Sequence, residues 1–370
     1  MVLFYLKFTC NKYTIITYIL QEFEGVIMKV LFINIKRNII PTIFLLFTIC
    51  LIIFSKSNIQ AVKNSLDIWV NNVIPSLLPF FIATELLNHT NIPKVFGNMF
   101  NKIMRPIFNV PGIGAYALVM GIISGYPVGA KIVTNFRNEN LCTKEESERL
   151  ITFTNNSGPL FILGTVGITL FYDSSIGLLL LFTHILASIT VGIIFRFWKS
   201  KTKEKRNTDT INNNINFNSL GEILSKSIIS AINSVVLIGG FIILFGIILS
   251  VFQKIYIFNI LKIPLLPIFN LLNIKTEFII PILTGILELT NGVVIVSSIA
   301  CKNLATNVII SAFLLGFGGI SIMLQVLSII SKSDISIKPY ILGKLLQGLL
   351  AALYTSLIIN NFSYFYYLKL

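Results

Sequence analysis

Glu288 stands in the run Glu288-Leu-Thr290-Asn291-Gly292, inside the otherwise apolar stretch 278–300. A carboxylate in such surroundings serves by default as a proton or cation site, or as partner to a buried base. The competing reading is a structural ion pair or a neutral carboxyl. One base it could pair with is Lys131, which ends the run Gly121-Ile-Ile-Ser124-Gly125-Tyr126-Pro127-Val-Gly129-Ala-Lys131. Gly121, Gly125 and Gly129 recur every fourth residue, the spacing that lets helices approach closely. Pro127 removes a donor and frees the carbonyl a turn earlier, near Ile123 or Ser124, so opened backbone there could face a solute. A close-packed kinked helix is the plainer alternative.

Further polar groups fall at helix punctuation. Thr143-Lys-Glu-Glu146 is a capping box, so a helix starts at about residue 144. It runs into Asn155-Asn156-Ser157-Gly158-Pro159, where amides able to donate and accept precede the apolar run 160–172. This reads as a hairpin tip within the membrane, against an ordinary interfacial turn with Ser157 as N-cap. Gly318, Gly319 and Ser321, with Gln325, offer bare backbone and an amide in the second half of the chain. Together these residues are the candidate contacts for a small polar solute.

Other chemistry is unsupported. His89 and His184 lack a second metal-type ligand at helical spacing and read as structural, and the four cysteines show no CxxC pair. The stretch 112–117, GIGAYA, imitates a dinucleotide-binding turn, but no strand precedes it. Gly125 and Lys131 do not have phosphate-loop spacing. The expectation is therefore no metal, no cofactor, and no enzyme, since nucleophile, base and electrophile never cluster.

The elements that must position these residues follow from composition. The 370 residues are 55% apolar and 12% charged, against about 25% charged in soluble domains. The net charge of +14 lies between long apolar runs rather than on one soluble face, which excludes nucleic acid as a partner and points to membrane lipid. Lipid cannot satisfy backbone groups, so the fold class is all-α, a polytopic membrane protein with about eight to ten spanning or re-entrant helices. Lys29, Lys36 and Arg37 place the start of the first span in the cytoplasm. Residues 28–58 form a signal anchor, with Met28 as the natural start and 1–27 as a spurious extension. The Lys- and Asn-rich stretch 199–219 is a polar cytoplasmic linker.

This linker separates two halves, 59–198 and 220–360, and leaves 361–370 as a tail. Pro106-Ile107-Phe108-Asn109 recurs as Pro267-Ile268-Phe269-Asn270, and the order of long, Pro-broken and Gly-broken segments around it recurs as well. Two pseudo-repeated halves, read as inverted, point to a transporter-like site at their interface. A duplication that only stabilises a bundle is the alternative.

Read together, the runs VIPSLLPFFIATELL (73–87), MRPIFNVPGIGAYALVMGIISGYPVGAKI (104–132), LCTKEESERLITFTNNSGPLFILGTVG (141–167) and GILELTNG (285–292) resemble the YlbJ family of sporulation integral membrane proteins. That family belongs to the wider nucleoside-recognition or Gate group. The resemblance implies a multi-pass protein of the cell membrane of a sporulating bacterium, needed for spore envelope and cortex formation. It implies no particular solute. Homo-oligomerisation or other sporulation membrane proteins are compatible partners. A non-transporting scaffold that recruits envelope-building enzymes is the second reading.

Overall fold

The computed structural model describes residues 38–200, 220–271, 274–299 and 304–362. The proposed extension 1–27, the linker residues 201–219 and most of the tail lie outside them. All regular structure among the described residues is helical. The chain divides into two units, residues 1–59 and 60–370. The first contains α1 (Asn38–Ile53), a short apolar helix at the position expected for the anchor.

In the second unit, α2 (Ser55–Ile68), which begins in the first, passes through a π-helical turn (Trp69–Val73) into α3 (Ile74–Asn88), forming one long apolar helix. There follow α4 (Ile92–Phe108), α5 (Gly114–Ser124), α6 (Val128–Asn138), α7 (Lys144–Thr154), a π-helical segment (Leu160–Leu170) and α8 (Ser174–Phe195). Beyond the linker come α9 (Leu220–Lys254), α10 (Ile257–Leu271), α11 (Ile279–Leu287), α12 (Leu289–Ser298), α13 (Leu304–Phe317), α14 (Gly319–Ile330) and α15 (Lys338–Asn361).

Among the described residues, five stretches are long and apolar enough to cross a bilayer: Ser55–Asn88, Ser174–Phe195, Leu220–Lys254, Leu304–Ile330 and Lys338–Asn361. The sequence expectation of about eight to ten counted spanning and re-entrant helices together, and so includes short apolar helices. Gly114–Ser124, Leu160–Leu170 and Leu289–Ser298 each stop well short of the roughly 20 residues a crossing needs.

Local chemistry explains several ends. The capping box is formed as expected: Glu146 N–H donates to Thr143 Oγ1 at 3.2 Å, and Thr143 N–H to Glu146 Oε2 at 3.0 Å. Asp173 caps α8 by accepting from Ser175 N–H at 2.7 Å. α4 ends on Asn109 in the left-handed conformation, φ 55°, which Asn tolerates better than most residues.

α15 shows how the bundle is turned relative to a soluble one. Ile341, Leu345, Leu349, Leu353 and Leu357, four apart, are exposed, whereas Lys344, Gln347, Gly348, Ala351 and Thr355 are buried. Lipid satisfies leucine but not lysine or glutamine, so the polar face turns inward. There α15 packs on α13, α8 and α7, with Gly316 against Gly348 at the α13 crossing.

Candidate functional site

α5 and α6 read as one apolar helix until Gly125-Tyr126-Pro127 interrupts them. Gly125 takes φ +78°, a left-handed conformation that glycine adopts without penalty. An added Cβ there would meet Gly158 N at 3.0 Å, so the first break lies directly against the second, which runs from Asn155 to Gly158. The small-residue spacing has a related role: Gly121 on α5 and Gly129 on α6 both abut the Thr154 carbonyl at the end of α7.

The Asn155–Gly158 segment has lost its helical ladder, and side chains from two long helices replace it. Lys344 Nζ donates to Asn155 O at 3.2 Å and to Gln347 Oε1 at 2.8 Å. Gln347 Nε2 donates to Asn156 Oδ1 at 2.8 Å, and Asn155 Nδ2 to the Tyr340 hydroxyl at 2.9 Å. From α8, Ser188 Oγ donates to Phe153 O at 2.7 Å, and the His184 ring accepts the Ser157 N–H on Nε2 at 3.2 Å. Ser157 therefore does not cap a helix through its side chain. Its Oγ lies beside Tyr126 but has no partner of hydrogen-bonding geometry.

In the second half, the α11 to α12 break is a single residue. Glu288 is extended, φ −141°, and caps α12: Thr290 N–H donates to Oε1 at 3.1 Å, and Asn291 N–H and Nδ2 donate to Oε2 at 2.8 and 2.7 Å. A carboxylate at a helix N-terminus is favoured by both the orphan N–H groups and the macrodipole. Gly318 and Gly319, with φ +83° and +81°, separate α13 from α14, and a Cβ on Gly319 would meet Gly285 O at 3.1 Å. The two breaks of this half thus also abut.

Between these segments lies a cavity of about 90 Å³, several times the space one water needs. Of the residues singled out from sequence, Gly125, Tyr126, Ser157, Gly158, Glu288, Thr290, Ser321 and Gln325 line it, joined by Asn72 and Ser76 from the long helix Ser55–Asn88. Ile238 and Ile242 of α9 close an apolar side. Glu288, Ser321 and Gln325 are all nearly fully buried, and Gln325 Oε1 has no hydrogen-bond partner.

The other candidates stand behind the wall. Ser124, on α5, is within 3.0 Å of Thr84 Oγ1 through its hydroxyl. Pro127 closes the first break and Pro159 the second, Asn155 and Asn156 hold the second break from behind, and Asn291 supports Glu288. Lys131 does not pair with Glu288. Its carboxylate is Glu85 on α3, at 2.6 Å, and it also donates to Ser230 and Ser234 of α9 at 2.8 and 3.1 Å, tying three helices together. Glu288 is engaged instead at the start of its own helix.

Sequence reasoning missed Lys344 and Gln347, although the argument applied to Lys131, a base inside an apolar run, holds equally for Lys344. His184 had been set aside for want of a metal partner, and the chemistry it performs is hydrogen-bond acceptance.

A family model described as nucleoside recognition matches residues 70–196, a stretch containing both first-half breaks. The sporulation integral membrane protein YlbJ of Bacillus subtilis (strain 168) is 36% identical over 344 residues, covering 88% of this chain and 83% of that protein. No solved structure shows significant similarity. With that identity spread over nearly the whole length, the chain belongs to the YlbJ family of sporulation integral membrane proteins, and is a multi-pass membrane protein of transporter-like build.

Proposed function

We propose that the chain binds a small polar solute in the cavity lined by three of the four helix breaks, moves it across the membrane, and is thereby needed for spore envelope and cortex formation. The observation that carries this reading is the cavity wall. It takes bare backbone from Gly125 and Gly158 and polar side chains from Glu288, Ser321 and Gln325, and the buried Gln325 Oε1 is left unpaired. Native proteins rarely leave a buried acceptor without a partner, so such an atom on a residue of the cavity wall suits a ligand's donor. The two interrupted helix pairs, each followed by one long helix, support reading the halves as a pseudo-repeat with the solute between them. The protein acts as a carrier rather than an enzyme, in contact with lipid and with itself or other sporulation membrane proteins.

The test is complementation in a spore-forming host lacking the protein, with Gln325→Leu and Ser321→Ala compared with wild type at matched membrane abundance. Neither residue caps a helix or holds a break. Loss of heat-resistant spores is the expected result. Full resistance from both variants would remove the solute site and leave the scaffold reading, which needs the surface rather than the cavity.

A further inference from the structure

Lys344 is 1% exposed and sits where the two halves' breaks come together. Its ammonium reaches the Asn155 carbonyl in the first half, while its Cε lies 3.6 Å from where a Cβ of Gly318 would stand in the second. Among the described residues no carboxylate lies within ion-pairing distance of it, unlike Lys131 and Lys199, which each have one. An ionisable side chain at such a position in a membrane bundle is a functional hypothesis by default.

The count of donors is specific. A neutral amine has two N–H groups and an ammonium three. The site presents two acceptors, Asn155 O and Gln347 Oε1. Both N–H groups of the amine are therefore accepted, leaving its lone pair, whereas the ammonium's third N–H has no acceptor. Around the same segment, Thr154 Oγ1, Asn155 Oδ1, Ser157 Oγ and His184 Nδ1 are buried polar atoms without partners. The three oxygens give that third N–H somewhere to turn if the segment shifts, whereas His184 Nδ1 carries the ring proton and can only donate, and Ser157 is part of the cavity lining.

We propose that Lys344 is a proton-exchange site behind the solute cavity, its amine and ammonium forms holding the Asn155–Gly158 segment in two arrangements. The step is a single one: an N–H bond of the ammonium breaks, the electron pair stays on Nζ, and the proton leaves to water through the cavity. This deepens the solute-carrier reading by naming the proton as the ion its movement is tied to.

The titratable and charged groups nearby are few. α8 brings His184, and α15 itself brings Tyr340, bonded to Asn155. α13 carries no titratable residue, and α7 has its charges at its far end, where Glu148 accepts from Ser336 N–H at the foot of α15. Tyr126 comes from the first break.

The test places a single reporter, Thr165→Cys on the cavity wall, in a chain whose four native cysteines are replaced, and follows maleimide labelling in native membranes from about pH 5 to about pH 10, a range in which buried lysines titrate. Rates are divided by those of the same reporter with Lys344→Met, which cancels the thiol's own pH dependence. The wild-type ratio is expected to change by about fivefold or more across the range, the low end of coupling between two states. The Lys344→Arg chain, always charged, is expected to stay at the wild type's low-pH value throughout. A wild-type ratio that is flat with pH, or an Arg chain that follows wild type, would overturn the proposal. If Lys344→Met does not accumulate, wild type is divided by Lys344→Arg and the same contrast is read. Labelling is scored without spores, so a flat ratio beside defective Gln325→Leu spores removes only the proton, whereas a responding ratio beside normal spores removes only the solute site.

Discussion

The two halves interrupt their helices by different means. In the first half the break at Asn155–Gly158 is four residues long, and groups from α8 and α15 satisfy it: Lys344, Gln347, Tyr340, Ser188 and His184. In the second half the break at Glu288 is one residue long and caps itself, its carboxylate taking the two N–H groups that follow. The first is therefore a tertiary structure whose shape depends on distant helices. The second is a local one, written into the four residues Glu288 to Asn291. A moving part that must report on the rest of the bundle is better built the first way, because changing any supporting helix changes the segment, whereas a capped helix start can serve as a fixed wall.

That contrast can be broken at the Asn155–Gly158 break with the largest effect. Gln347→Leu removes an acceptor from Lys344 and a donor from Asn156 Oδ1, leaving two buried groups unpaired at about 1–3 kcal/mol each. The thermal midpoint of purified protein in detergent should fall more for this variant than for any change at Glu288. Next comes Gly125→Ala, which forces a side chain into a left-handed conformation and against Gly158 N, at a cost of about 1–3 kcal/mol. Glu288→Ala should cost about 1–2 kcal/mol, as for loss of a helix cap. Glu288→Gln, which keeps an acceptor oxygen, should recover much of that. If the Glu288 variants melt lower than Gln347→Leu, the distinction between a supported break and a self-capped one is wrong.

The same contrast explains what the sequence could tell. Self-contained features were legible: the capping box at Thr143 and Glu146, the interruptions at Gly125, Gly158 and Gly318, and the polar run around Glu288 all declare themselves within a few residues. Partnerships were not. Lys131 was recognised as needing a partner, but Glu85 or Glu288 could have filled that role, because only the packing of α3 against α9 and α6 decides between them. Lys344 and Gln347 lie nearly 190 positions from the residues they hold, with nothing local to mark them. Which apolar segments span and which turn back was not legible for a related reason: an apolar run of about 11 residues in α5 looks like part of a crossing until Gly125 turns the chain.

The smallest effect sharpens the comparison at the bundle's edge, where the halves are joined without any break. Arg137, near the end of α6, grips Asp334 just before α15 in a two-pronged pair, Nε to Oδ1 at 2.8 Å and Nη2 to Oδ2 at 2.9 Å. The hydrogen bonds from Arg137 hold the Asp334 carboxyl below its ordinary value, and partial burial works in the opposite direction. A carboxyl with a depressed folded-state value adds stability above its unfolded titration point and loses it as pH falls through the folded one. Asp334 is half exposed, so solvent screening limits the pair to about 0–1 kcal/mol. Asp334→Asn should therefore lower the melting midpoint slightly at neutral pH, and the gap from wild type should close below about pH 4. A gap that persists in acid would mean that Asp334 supports the start of α15 by its shape rather than its charge. A gap as large as that of Gln347→Leu would mean that the halves are held at this edge as much as around Lys344, and the Asn155–Gly158 break would lose its standing as the joint on which the bundle turns.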